Sequence, residues 1–196
     1  ALFDAFSFVN VYASSKLSTK DKNTLQFKDG FVTIGNLAVT PLYLTVGRDN
    51  IPFGNYPSSI ISSIEPNSVA LGSIHADNVN FGYHPTTPTA FVANAFVYKQ
   101  KVPLAKKGQP GYGAHVGFND TIAGVNGSVT ASYVSDIAES GGISALYSDT
   151  SKLTKQVQGA AASFNVGYKS YGVYTGYVTA AQSFNKQDMT YNGKAA

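Results

Sequence analysis

Residues 78–84 read Asn-Val-Asn-Phe-Gly-Tyr-His. In an extended chain successive side chains alternate, so Val79, Phe81 and Tyr83 share one face while Asn78, Asn80, Gly82 and His84 share the other. The pattern recurs at 112–119, where Tyr112, Ala114, Val116 and Phe118 alternate with Gly113, His115, Gly117 and Asn119. It recurs at 162–169, with Ala162, Phe164, Val166 and Tyr168 against Ser163, Asn165, Gly167 and Lys169. Residues 128–133 repeat it with Val129, Ala131 and Tyr133 against Ser128, Thr130 and Ser132. Four such alternations predict an antiparallel sheet with one apolar face.

Working outward, segments 3–13, 24–35, 41–48, 89–99 and 171–181 are also strand-like, which gives about nine strands: 3–13, 24–35, 41–48, 77–84, 89–99, 111–120, 127–136, 160–169 and 171–181. In 24–35 the phase breaks at Asp29-Gly30, the signature of a bulge. The connections alternate in length. The long ones are 14–23, 49–76, 100–110 and 137–159; the short ones are 36–40, 85–88, 121–126 and a tight reversal at Ser170. Short turns at one end and long loops at the other are the pattern of an outer-membrane barrel. Strands of this length suit a membrane crossing. The second face is small and polar, which fits a water-filled lumen better than a sandwich core. The expected fold is therefore all-β, a transmembrane antiparallel β-barrel of meander (up-and-down) topology. A soluble all-β module with one solvated face is the plainer alternative.

Composition agrees. The 196 residues make one domain, 1–196, of 20.7 kDa. Charged residues are 13%, against about 25% in ordinary soluble domains. There is no cysteine, so disulfides, thiolate catalysis and cysteine metal sites are excluded. A net charge of +3 is too small to argue for nucleic acid. The aromatic and apolar content excludes intrinsic disorder. No run approaches the roughly 18 apolar residues of a membrane helix. No signal-peptide pattern opens the sequence, whose one methionine is Met189, so it reads as a mature or trimmed chain. An odd strand count would leave an edge unpaired in lipid, and Asn192-Gly193 near the end is a turn signal. Further strands are expected after 196.

Three stretches carry a family resemblance. They are Phe31-Val-Thr-Ile-Gly-Asn-Leu37 followed by Pro41-Leu-Tyr-Leu-Thr-Val-Gly-Arg48 and Ile51-Pro-Phe-Gly-Asn-Tyr56; Ala131-Ser-Tyr-Val-Ser-Asp-Ile-Ala-Glu-Ser-Gly-Gly-Ile143; and Ser183-Phe-Asn-Lys-Gln-Asp-Met-Thr-Tyr-Asn-Gly-Lys194. In this order the chain resembles the LbtU-type siderophore porins. The resemblance implies uptake of a ferric siderophore through an outer-membrane β-barrel without a separate plug domain. It also implies that this chain is an interior piece of a longer barrel. A general or carbohydrate-selective diffusion porin is the alternative on the same fold.

Strand parity makes Asn78, Asn80, His84, His115, Asn119, Asn165 and Lys169 the lumen-lining candidates. Arg48 joins them only if a bulge turns it inward, because strict alternation puts it with Leu42, Leu44 and Val46 on the outer face, where it could meet lipid or lipopolysaccharide phosphates. Loop 49–76 is too apolar for a freely solvated connection. Phe53, Tyr56, Ile60, Ile61 and Ile64 are its candidates for a constriction folded over or into the pore, the last three at the spacing of a short helical turn. Lys99, Lys101, Lys106 and Lys107 give one loop a positive cluster; its plain reading is a solvated loop, and the alternatives are attraction of an anionic ferric complex or a hold on lipopolysaccharide phosphates. The chain is expected not to be an enzyme: no Gly-x-Ser-x-Gly elbow occurs, and Gly108-Gln-Pro-Gly-Tyr-Gly113 lacks the Lys-Ser/Thr of a phosphate loop. His75 and Asp77 alone are too few for a metal site. No cofactor is expected.

Overall fold

The computed structural model describes residues 2–6, 8–18, 24–54, 71–87, 89–100, 109–144 and 155–184, with side chains at these positions except 2–6, 16–18 and 24–26. They form one antiparallel sheet in sequence order: β1 (Leu2–Phe6), β2 (Val9–Ser18), β3 (Thr24–Ile34), β4 (Leu42–Asn50), β5 (His75–Tyr83), β6 (Ala90–Tyr98), β7 (Gly111–Ile122), β8 (Val125–Val134), β9 (Gly159–Tyr168) and β10 (Tyr171–Ala180). Nine strands are nine residues or longer, and β1 adds a five-residue edge. The stretch expected as one strand at 3–13 is therefore two, because the chain turns back before Val9, which pairs with Phe6. Each strand pairs with its sequence neighbours, and no pairing joins β1 to β10 among the described residues, so the sheet is a meander that is not closed into a barrel.

The bulge falls one residue from the expected place. Ser14 pairs with Asp29 and Ser15 with Phe27, which leaves Lys28 as the extra residue. The β7–β8 reversal is tighter than the expected 121–126, and the β9–β10 reversal takes one residue more than the expected Ser170 alone. β7 and β8 are joined by Ala123-Gly124, both at positive φ (52° and 80°), and the expected strand 160–169 ends at Tyr168, with Lys169 at φ 52° in the turn. Positive φ at both central residues matches the twist of a two-residue hairpin.

The sheet is curved. The Gly54 N–H donates to Ser132 Oγ at 3.4 Å, joining the chain just after β4 to β8. In a flat sheet β4 and β8 stand about 19 Å apart, four spacings of about 4.8 Å. The four residues from Asn50 to Gly54 reach at most about 14 Å. Only a sheet curling toward this face lets them meet.

The two faces are opposite in chemistry. One presents Val46, Val79, Phe81, Val97, Val116, Phe118, Val129, Phe164 and Val173, all exposed. The other, here called the inner face, buries Thr45, Asn78, His115, Thr130, Ser132 and Ser163. Aromatic rings on the inner face lie over glycines of the next strand. Tyr98 covers its cross-strand partner Gly111, and Tyr43 covers Gly82. A β-carbon at either glycine would fall inside the ring, so only glycine lets these rings lie flat on the wall.

Candidate functional site: the inner face and the loops over it

The middle of the inner face is a band of hydrogen-bonded neutral side chains. The Asn94 amide donates to Tyr43 Oη at 2.5 Å and to Asn80 Oδ1 at 3.3 Å. His115 Nδ1 lies 2.9 Å from Ser132 Oγ. The hydroxyls of Thr33 and Thr45 are 2.9 Å apart, and those of Thr130 and Ser163 are 2.6 Å apart. Asn78 donates to the Ala76 carbonyl at 3.1 Å. Register builds this band: Gly82 pairs with Asn94, Asn94 with His115, and His115 with Ser132, so one row crosses four strands.

Parity therefore places Asn78, Asn80, His115, Asn119 and Asn165 on one wall, as expected. His84 follows the end of β5 and is exposed toward the same space. Two candidates do not join them. Arg48 pairs with Gly30 and Asp77 and shares a face with exposed Val46, so no bulge brings it inward; its Nε is buried without a hydrogen bond. Lys169 sits in the β9–β10 turn, with Nζ 5.1 Å from the Tyr168 ring.

At the end of the sheet opposite the tight turns, the inner face becomes apolar and is covered by loops. Ile51, Phe53 and Ile74 from one connection and Ile137 and Val157 from another are buried together. They pack with Phe96, Tyr98, Val134 and Ala161 of the wall, and Val178 of β10 and Phe184 join them. Phe53, a constriction candidate, is 1% exposed. Tyr56, Ile60, Ile61 and Ile64 lie outside the described residues, as do Lys101, Lys106 and Lys107.

Backbone bonds close each loop and join the two: Ile51 N–H to Ile74 O within the first, Ile137 N–H to Val157 O within the second, and Gly141 N–H to Ser73 O between them, all at 2.8–2.9 Å. Asp136 stands at their junction. One carboxylate oxygen accepts from Ala138 N–H at 3.0 Å and Val157 N–H at 3.4 Å, and the other accepts from Gln100 at 3.2 Å. Tyr98 Oη donates to the Asp136 carbonyl at 3.1 Å. Burial pushes the Asp136 pKa up to about 6; the two N–H donors pull it down and Glu139 adds to the rise. Sequence reading passed over this residue. Asp136 before a short helical turn is a capping signal, but its partners lie far away in the chain.

A second cluster sits beside the Lys28 bulge. Ser14 donates to Asp29 Oδ2 at 2.6 Å, and His75 Nε2 is 3.4 Å from Asp29 Oδ1 and 3.1 Å from Lys28 O. These contacts tie His75 to β3. No group of three His, Cys, Asp or Glu side chains is placed to hold a metal among the described residues.

A cavity of about 440 Å³ lies beneath residues 50–54 and is walled by β6 to β8 and by His84 just beyond β5. A second, of about 420 Å³, lies toward the turn between β3 and β4. Both touch His84.

These features define an antiparallel all-β sheet protein with a polar, loop-covered inner face. The chain is homologous to UPF0422 proteins of Legionella and Coxiella. It is 31% identical over 182 residues to a UPF0422 protein of Legionella pneumophila (strain Philadelphia 1), covering 85% of this chain and 33% of that protein. It is 26% identical to a UPF0422 protein of Coxiella burnetii, covering 100% of this chain and 44% of the relative. The chain thus spans between a third and under half of the length of these relatives. No family model matches it, and no solved structure matches it. No described helix is long and apolar enough to cross a membrane, which says nothing of crossing by strands.

Proposed function

We propose that this chain is part of an outer-membrane β-barrel that conducts a small solute, with a ferric siderophore as the cargo. The observation that carries the barrel reading is the inversion of the two faces. Phe118, Val129 and Phe164 are 44%, 51% and 47% exposed, whereas His115, Thr130 and Ser132 are 5–7% exposed. In water each half-exposed side chain of this size forgoes about 1 kcal/mol, and such a continuous apolar surface calls for a covering. Lipid supplies one. Tyrosines flank the band, Tyr83, Tyr168 and Tyr171 near the short turns and Tyr112 and Tyr133 near the long loops, as in the aromatic girdles of membrane barrels. In lipid the two sheet edges need partners, and the greater length of the relatives leaves room for more strands.

The siderophore cargo rests on the resemblance to LbtU-type porins. The neutral inner wall favours a second reading, a general or carbohydrate-selective diffusion porin. Passage in either case is governed by lining chemistry and constriction, not by catalysis. The deciding experiment compares cells with and without the full-length gene for ferric siderophore uptake and for sugar permeation. Loss of iron uptake alone supports the siderophore reading. Loss of sugar permeation alone transfers the function to the porin reading. Recovery of the protein without detergent removes the barrel altogether.

A further inference from the structure

We infer that the cavity beneath residues 50–54 is a binding site for an electrically neutral, oxygen-rich ligand, and that it discriminates against anionic complexes. The inference rests on the barrel reading and assigns it a substrate class. The described lining contains Asn94, Asn119, Thr130, His84 and His115 but no Lys, Arg, Asp or Glu. An anion entering this space would exchange water for a described lining that holds no lysine or arginine to pair with it, a costly transfer. A hydroxyl or amide fares better, because each asparagine offers both donors and an acceptor. Asn94 spends its amide hydrogens on Tyr43 and Asn80, which leaves its carbonyl oxygen to accept from a ligand hydroxyl. The Asn119 side chain has no hydrogen-bond partner among the described residues. Ile51, Pro52 and Val92 supply an apolar side to the same cavity. The ligand therefore has polar groups around an apolar surface, as a sugar ring does and as the shell of a ferric trihydroxamate does.

The cavity toward the turns continues the same chemistry. Its polar lining is Asn10, Thr33, Asn36, Tyr43 and Thr45, again without a charged side chain, and it shares His84 with the first. A neutral solute leaving one cavity meets an equivalent wall in the next.

The test uses the full-length protein, purified in detergent and inserted in planar lipid bilayers, with ion current as the readout. The probes are maltotriose, the neutral ferric trihydroxamate ferrichrome, and the triply negative ferric enterobactin. At least one neutral probe is expected to block the current, at a concentration about tenfold below that needed for ferric enterobactin. Which neutral probe blocks tells saccharide from iron complex. Asn94→Leu and Asn119→Ala, each checked for barrel-like mobility on unheated gels, are expected to weaken the block by about tenfold, the loss of one ligand hydrogen bond. Block by ferric enterobactin at equal or lower concentration overturns the inference and leaves the barrel standing, as does current that neither neutral probe affects. Protein that carries no current and needs no detergent overturns the barrel reading, and this inference with it.

Discussion

Toward the tight reversals at Ala123-Gly124 and Lys169-Ser170, the inner face stays open and polar, held by short side-chain bonds such as Thr33–Thr45 and Thr130–Ser163. At the opposite end the same face is apolar, and two loops fold onto it to form the buried cluster of Ile51, Phe53, Ile74, Ile137 and Val157. The two ends use different physics. One keeps its form through strand register and neighbouring hydroxyls. The other behaves like a small water-soluble core assembled inside a curved sheet. Stability at the loop end should therefore respond to cavities and buried charge, and the outer face to what surrounds it.

Four substitutions sharpen this contrast. The largest effect is expected from Phe53→Ala, which empties the centre of the loop cluster. Its loss is about 3–5 kcal/mol for the docked loops, read as protease cleavage within 51–76 and as larger ion current. Unchanged cleavage would mean that the loops stand without their apolar cluster. Next comes Val116→Arg on the outer face. Deep in lipid this costs about 2–4 kcal/mol, whereas an exposed position in water would lose within about 0.5 kcal/mol. Urea unfolding in lipid vesicles followed by circular dichroism separates the two.

The third prediction concerns acidity. The Asp136 pKa is raised from 3.8 to about 6, so the folded loops hold a proton that the unfolded chain releases. This group's destabilising effect is absent below about pH 4 and complete above about pH 6, up to about 3 kcal/mol. Loop protection from protease should therefore fall as pH rises from 4 to 7. Asp136→Asn keeps an acceptor for Ala138 and Val157 and should flatten that profile. The smallest effect, about 1 kcal/mol, is expected for Tyr98→Phe, which removes the hydroxyl bonded to the Asp136 carbonyl. Its loss should appear at the loop end and leave turn-end hydrogen exchange unaltered.

Much of this architecture could be read directly from residue order. Alternation at 78–84, 112–119 and 162–169 set the strands and their faces, because side-chain direction in a strand is a local property. The excess of apolar residues in 49–76 pointed to a buried loop, and Phe53 is buried. Local reading failed where two structures compete within a few residues. It joined β1 to β2 across Ser7-Phe8, since both flanks are equally strand-like, and it carried strand parity one residue too far at Lys169.

Sequence alone determined the antiparallel meander, the apolar and polar faces, and the separation of long loops from short turns, all consequences of a period of two and of turn chemistry. Only the tertiary structure decided that Asp136 clamps both ends of the β8–β9 loop to Gln100, that Asn94 reaches Tyr43 across Gly82, and that Gly54 meets Ser132. Those contacts join residues 36, 51 and 78 positions apart. They depend on how far the sheet curls, and curvature belongs to all the strands together.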